Sequence, residues 1–415
     1  MTKQNRSRRP GARVALLAVL VPALTACENA LDVRIPGQVG ANTLQNSGMS
    51  TTLVNSAIAD FECAFVNYIG ATGLLTDELI ISTEFIAPSL WDQRRIAEDN
   101  GNLTGTCTAF GFGVFRPLHT ARYMAELAVE TITGFPDADV PNKQRLLATA
   151  NAYAGYAYTL LGEAFCRVTV SGGPILQPAE VLALAEARFT SAIEGAQQAN
   201  ATDILNMARV GRARVRLDLN RKADAAADAQ LVPPEFVRQS TYSATAARRN
   251  NLIFVYNQRN LQVSVDPRYR ALEVDDVADP RVPVLNANRN GQDGFTALWL
   301  QLKYTADGSP IVLASGKEAQ LIVAEVQGGT AAVDIINRLR ARHSLPPYAG
   351  GTEQQVLQQV LEERRRELFL EGHRLNDMLR HGLPFDTGLN HKGVPFGDTE
   401  CLPLPDIELQ QNQSG

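Results

Sequence analysis

Beyond its first 26 residues this chain has no apolar run near the roughly 20 residues that a bilayer span needs. It has no HExxH, no GxSxG, no P-loop and no GxGxxG, so the common metalloprotease, hydrolase and nucleotide-binding signatures are absent. No CxxC occurs, which excludes a thioredoxin-type centre and a cysteine-rich zinc site. Histidine is scarce, at five. His373, His381 and His391 fall near the C-terminus without ligand spacing, so neither a metal nor a cofactor is expected. Asp275, Asp276 and Asp279 lack the EF-hand spacing that calcium would ask for.

What the chain does have begins with Cys27. Arg6, Arg8, Arg9 and Arg13 form a basic start, residues 14–24 form a short apolar core, and Leu24-Thr25-Ala26-Cys27 closes it. That order describes a secretory signal over residues 1–26. The cysteine placed directly after small residues is the pattern of a bacterial lipobox, with Cys27 lipidated as the first mature residue. Losing Lys3 and the four arginines leaves 34 of the 39 basic residues against 44 acidic ones, a formal charge near −10. Such an acidic chain is a poor partner for nucleic acid. Attachment to a membrane then falls to acyl chains, of which several are needed for stable anchoring.

Four further cysteines, Cys63, Cys107, Cys166 and Cys401, permit two disulfides in an exported chain, with three possible pairings. Cys63–Cys107 closes the shortest loop. Helical periodicity is expected over residues 43–68, 118–132, 143–165, 181–199, 204–219 and 223–230. The middle helices are alanine-rich, and small residues at crossings let neighbours approach closely. Short links between them imply antiparallel helix pairs of tetratricopeptide-like kind. Residues 231–316 are rich in Pro, Asn, Asp and Arg, and read as long loops with a few short strands, a natural home for binding residues. Helices return at 317–326 and 331–343. A capping box of Thr352 with Gln355 opens a helix carrying Leu357, Leu361, Leu368, Leu375 and Leu379, expected to run unbroken to Gly382.

For ligand chemistry, sugar rings offer apolar C–H faces to aromatic side chains and hydroxyls to polar ones. Trp91, in Ser89-Leu90-Trp91-Asp92-Gln93-Arg94-Arg95, sits among such polar residues, with Arg94 close by, while Trp299 and Tyr304 lie in the loop-rich region. All four are candidate ligand contacts, against the alternative that each tryptophan anchors the core. Asp77-Glu78 is a carboxylate pair of the kind a glycosidase would need.

Three stretches carry a resemblance. Leu31-Asp32-Val33 with Pro36-Gly37 follows the lipobox cysteine. Ser315-Gly316-Lys317-Glu318-Ala319-Gln320-Leu321-Ile322-Val323-Ala324-Glu325 precedes Ile336-Asn337-Arg338-Leu339-Arg340. Glu363-Arg364-Arg365-Arg366-Glu367-Leu368-Phe369-Leu370-Glu371-Gly372-His373-Arg374 is an acidic-basic run ending in Glu-Gly-x-Arg, and Leu402-Pro403-Leu404-Pro405 and Glu408 follow it. Together they resemble SusD/RagB-type nutrient-binding lipoproteins over the whole mature chain. The resemblance implies a mostly α SusD-like fold, with tetratricopeptide-like helix pairs over 27–230 and a loop-rich part plus signature helices over 231–415. It implies an outer-membrane lipid-anchored protein facing the cell exterior. Its expected partner is a SusC-type TonB-dependent β-barrel transporter, on which it sits as a lid over a glycan or peptide ligand. It also implies that Glu363, Arg364, Glu371, Gly372 and Arg374 shape the fold. On this reading the chain is a binder rather than an enzyme; the rivals are a surface hydrolase using Asp77-Glu78 and a scaffold lipoprotein that binds no ligand.

Overall fold

The computed structural model describes residues 46–107 and 113–413, together with Thr2. The signal segment, Cys27 and the 31–37 stretch lie outside the described residues. Twelve helices of at least seven residues are described. Seven form the N-terminal part: α1 (Ser50–Leu75), α2 (Ile86–Asp92), α3 (Phe115–Thr133), α4 (Lys143–Ala164), α5 (Pro178–Gln198), α6 (Thr202–Asp218) and α7 (Lys222–Ala229). Five close the chain: α8 (Gly316–Gln327), α9 (Gly329–Ala341), α10 (Glu353–Glu367), α11 (Arg374–His381) and α12 (Asp406–Gln413). From α3 to α7 each helix packs on the next, α1 lies against α3 and α4, and α8 joins α7 to α9 and α10.

Small residues set these crossings. The Phe189 ring of α5 is fully buried between Gly155 of α4 and Gly211 of α6. A Cβ at Gly155 would lie 2.8 Å from the ring, and one at Gly211 closer still. Gly162 admits Leu182 in the same way, at 2.8 Å. The tight links are turned by Asn200 (φ 51°) and Asn220 (φ 57°), a residue type that tolerates the left-handed region.

Among the described residues ten short strands pair two by two, all antiparallel. Those that matter for the site are β1 (Leu79–Ile81), paired with β5 (Val263–Val265), and the hairpin of β8 (Val284–Asn290) with β9 (Ala297–Gln301). Ser264 stitches the two pairs: its Oγ donates to Ala297 O and accepts from Trp299 N, both at 2.9 Å. The apolar run at 252–256 is helical rather than extended, because the Asn251 side chain caps it by accepting from Ile253 N and Phe254 N.

The expected single C-terminal helix is two helices. α10 stops at Glu367, Leu370 (φ 55°) and Gly372 (φ 80°) reverse the chain, and α11 starts at Arg374. The turn drives Phe369 and Leu370 into the core, and Leu370 N donates to Glu78 Oε1 at 2.7 Å. The cysteines pair as Cys63–Cys107 and Cys166–Cys401. The second bridge fastens the C-terminal strap to the end of α4, beside reciprocal backbone bonds between Leu402 and the Ala164–Cys166 segment. Among the described residues, no helix is long and apolar enough to cross a membrane.

Candidate functional site

The structure redirects the expected ligand contacts. Trp91 is fully buried (0% exposed), so no face of its indole is open to a sugar; it anchors α2 to the core. Arg94 is buried as well. Its guanidinium donates to the Asp386 and Gly397 carbonyls at 2.7 Å and lies over the Phe385 and Phe396 rings, pinning the 385–399 loop. Tyr304 is buried, with its hydroxyl donating to Leu370 O at 3.0 Å. Trp299 is half-buried on β9, and Arg270 covers one face at 5.2 Å. Polar sequence neighbours misled in the case of Trp91. Asp92, like Arg94, is buried and spends its carboxylate inside the fold, accepting from Ile81 N at 3.0 Å and from Asn390 at 2.9 Å.

The C-terminal charges form a buried lattice. Glu363, fully buried, accepts from Arg340 at 2.7 Å and from Arg281, which also clasps Asp279 at 2.7 Å. Arg364 pairs with Asp377 at 2.8 Å, and Lys303 with Glu371 at 2.6 Å. Burial pushes Asp377 and Asp279 up, but Arg364 and Arg281 respectively outweigh it and hold both carboxyls down at about 2. Arg374 grips Asp77 through both oxygens at 2.5 and 2.6 Å. Glu78 is sealed in, and burial pushes its carboxyl up to about 7. Asp77 and Glu78 are therefore committed to the fold and are not presented side by side to a glycosidic bond.

The open chemistry lies where three loops meet. Phe85 (55% exposed) and Ile86 stand at the start of α2, and Phe295 (56% exposed) tips the β8–β9 connection. Lys392 braces them: its ammonium donates to Thr83 O at 2.6 Å, pairs with Glu84 and Asp293 at 2.9 Å each, and lies 4.9 Å from the Phe295 ring centre. Further bonds tie the loops together. Thr83 Oγ1 meets Gln292 Oε1 at 2.5 Å, Asp293 N donates to Ser82 O at 2.9 Å, and His391 Nε2 bonds Ile81 O at 2.8 Å. Asp293 is held at about 2: burial raises it, but Thr296 and Lys392 bond the charged form. Gly291 is required here, since a Cβ would run into Ser82.

A polar-rimmed recess of about 290 Å³ adjoins this corner, lined in part by Asp92, Asp266, Asp386, Leu389 and His391. Leu389 is itself exposed. The corner thus offers two open phenylalanine rings and the exposed Glu84 carboxylate, on loops that the largely buried Lys392 and Asp293 side chains hold in place. Open rings of this kind can stack on apolar C–H faces. Sequence reasoning passed over Phe85 and Phe295. The available signal was an aromatic at a turn: Phe295 follows Gln292-Asp293-Gly294, and Phe85 follows Ser82-Thr83-Glu84.

Residues 318–399 match the sequence profile of the SusD family. The fold matches a SusD homologue from Bacteroides thetaiotaomicron VPI-5482, at TM-score 0.70 and 14% identity over 91% of this chain and 98% of that one. A SusD-like carbohydrate binding protein from Bacteroides vulgatus ATCC 8482 aligns with TM-score 0.66 and 13% identity, covering 89% and 97%. A laminarin binding SusD-like protein aligns with TM-score 0.65 and 16% identity, covering 89% and 98%. No curated protein matches the sequence. The matched segment runs through the α8–α11 charge lattice, and the fold around it is mostly helical and SusD-like.

Proposed function

We propose that this protein is a cell-surface lipoprotein that binds a glycan at the Phe85–Phe295–Lys392 corner. On this reading it delivers the glycan, as a lid, to a SusC-type TonB-dependent transporter. The observation that carries the reading is the two open phenylalanine rings on loops that Lys392 and the Thr83–Gln292 and Ser82–Asp293 bonds brace against one another. The likeness to carbohydrate-binding and laminarin-binding relatives supports the ligand class. The hydrolase rival loses its carboxylate pair to Arg374 and Leu370, which supports a binder over an enzyme. The lipobox at Cys27 supports an acyl tether, which would keep the lid at high local concentration beside its barrel.

Calorimetric titration with laminari-oligosaccharides and a panel of other neutral glycans tests the site. Phe85→Ala and Phe295→Ala are each expected to weaken binding by about 5-fold or more, the loss of at least about 1 kcal/mol that truncating an anchoring side chain causes, with unchanged melting. Binding untouched by the double variant would discard this corner. Cys27→Ala is expected to move the protein from the membrane to the soluble fraction. Co-purification of a stoichiometric β-barrel from gently solubilised outer membranes tests the lid; its absence would favour the scaffold rival.

A further inference from the structure

A second recess, of about 400 Å³, runs along α3, where Thr104, Arg116, His119, Arg122 and Tyr123 line one side and Glu408 the other. It shares Arg116 and Thr120 with a neighbouring recess of about 220 Å³. Its residues have no part in the corner described above. The β2–β3 hairpin, β2 (Val168–Thr169) with β3 (Ile175–Leu176), contributes Thr169 and Ser171 to its wall.

Five features of this recess point to one ligand chemistry. Arg116 is exposed and has no carboxylate partner among the described residues, on a chain of net charge −5. It sits in the first turn of α3, which contains no acidic residue, so nothing there offsets the positive end of a 19-residue helix. Behind it are two buried nitrogens without hydrogen-bond partners, His119 Nε2 and Arg122 Nε. Polar atoms sealed from water without a partner are costly; both belong to residues of the recess wall, and Arg122 also pairs with Glu126 through another nitrogen. The imidazole is neutral, because burial and the Arg122 charge push it down to about 3. Around the cations stand the hydroxyls of Thr104, Thr120 and Ser171, and Thr169, which donates to Glu408 at 2.7 Å. Tyr123, 54% exposed, offers an aromatic face at the rim.

We propose that this recess is a second, acid-selective glycan subsite that takes a hexuronate residue, with the carboxylate on Arg116 and the sugar ring on Tyr123. One guanidinium without a partner suits a monoanion, by a charge-assisted bidentate contact. The hydroxyls and the tyrosine suit the sugar that carries it. The proposal shares with the function proposed above only the ligand class, and its residues are separate.

The test is titration of the full chain in detergent with a galacturonate tetramer, its carboxyl-reduced counterpart, a sulfated oligosaccharide of equal length and laminari-oligosaccharides. The galacturonate tetramer is expected to bind. Arg116→Ala should weaken it at least 10-fold, and carboxyl reduction by a similar factor. Tyr123→Ala should weaken it several-fold, while Phe85→Ala leaves it unchanged. Arg116 and Tyr123 are both exposed, and unchanged melting of the variants checks that the fold survives. Acidic-sugar binding that survives Arg116→Ala and falls with Phe85→Ala overturns the second subsite and leaves the first. Neutral glycans binding while the galacturonate does not has the same meaning. Preference for the sulfated ligand overturns the carboxylate assignment. No sugar binding of any kind overturns both sites.

Discussion

Gly372 and Arg374 show how single residues of the signature act. Gly372 sits at φ 80°, and a Cβ there would lie 3.2 Å from Ile69, 3.3 Å from Tyr68 and 3.4 Å from Phe65. A valine therefore meets both the left-handed backbone and the packed face of α1. Gly372→Val is expected to destabilise the fold by about 3 kcal/mol, adding left-handed strain to overpacking. Arg374→Ala leaves Asp77 buried without its cation and should cost about 3–5 kcal/mol. Denaturant unfolding measures both. Variants that melt normally but lose ligand would turn these residues from scaffold into site. The same residues mark what the sequence could show. Dense opposite charge around Glu-Gly-x-Arg is readable as a buried network, because buried charges need partners and both signs are packed into this one stretch. Which acid meets which base was not readable: Asp77 lies nearly three hundred positions from Arg374, and only the tertiary fold joins them.

At the level of elements, the helices of the middle were legible because their apolar stripes repeat every three to four residues. Their ends fell within a few positions of expectation, as with α4 at Lys143–Ala164. The break between α10 and α11 was hidden, since Leu368 and Leu375 continue the periodicity across it; the single glycine at 372 was the only local sign. The ligand corner was hidden for a different reason. Exposed aromatics on loops follow no period, and the two tryptophans drew attention that Phe85 and Phe295 merited. The helix crossings also make a prediction. Gly211→Ala should cost about 1–3 kcal/mol by driving a methyl into the Phe189 ring. Phe189→Leu in the same chain should recover part of that loss, because the smaller side chain makes room. A double-mutant cycle by thermal unfolding reads this as a non-zero coupling. Strict additivity would mean that α5 and α6 do not meet through that contact.

Across the whole molecule, the buried charges make stability a function of pH with two opposing limbs. Burial raises Glu78 and Glu318 from 4.5 to about 7, against bonds and cations that only partly offset it. The folded state then holds more protons than the unfolded chain between about pH 4.5 and 7, so stability falls as pH rises through that window. Asp377 and Asp279 run the other way: held at about 2, they favour the folded state above the usual carboxylate range and lose that contribution as the medium is acidified towards pH 2. Glu78 and Glu318 therefore subtract stability as pH rises from about 4.5 to 7, beside Glu163, which burial raises to about 8, while His119, held at about 3, adds stability over part of the same range. Glu318→Gln and Glu78→Gln keep the size of each side chain and remove its titration. Leu370 N retains an amide oxygen to donate to at position 78. The double variant should remove their share of the fall between about pH 4.5 and 7 and leave the acid limb in place. Each group accounts for at most on the order of 3 kcal/mol, because a tenfold change in proton affinity between the folded and the open chain is worth about 1.4 kcal/mol. A melting-temperature difference between the parent chain and the double variant that stays constant from pH 5 to 8 would show that these two carboxyls ionise as freely in the fold as in the open chain.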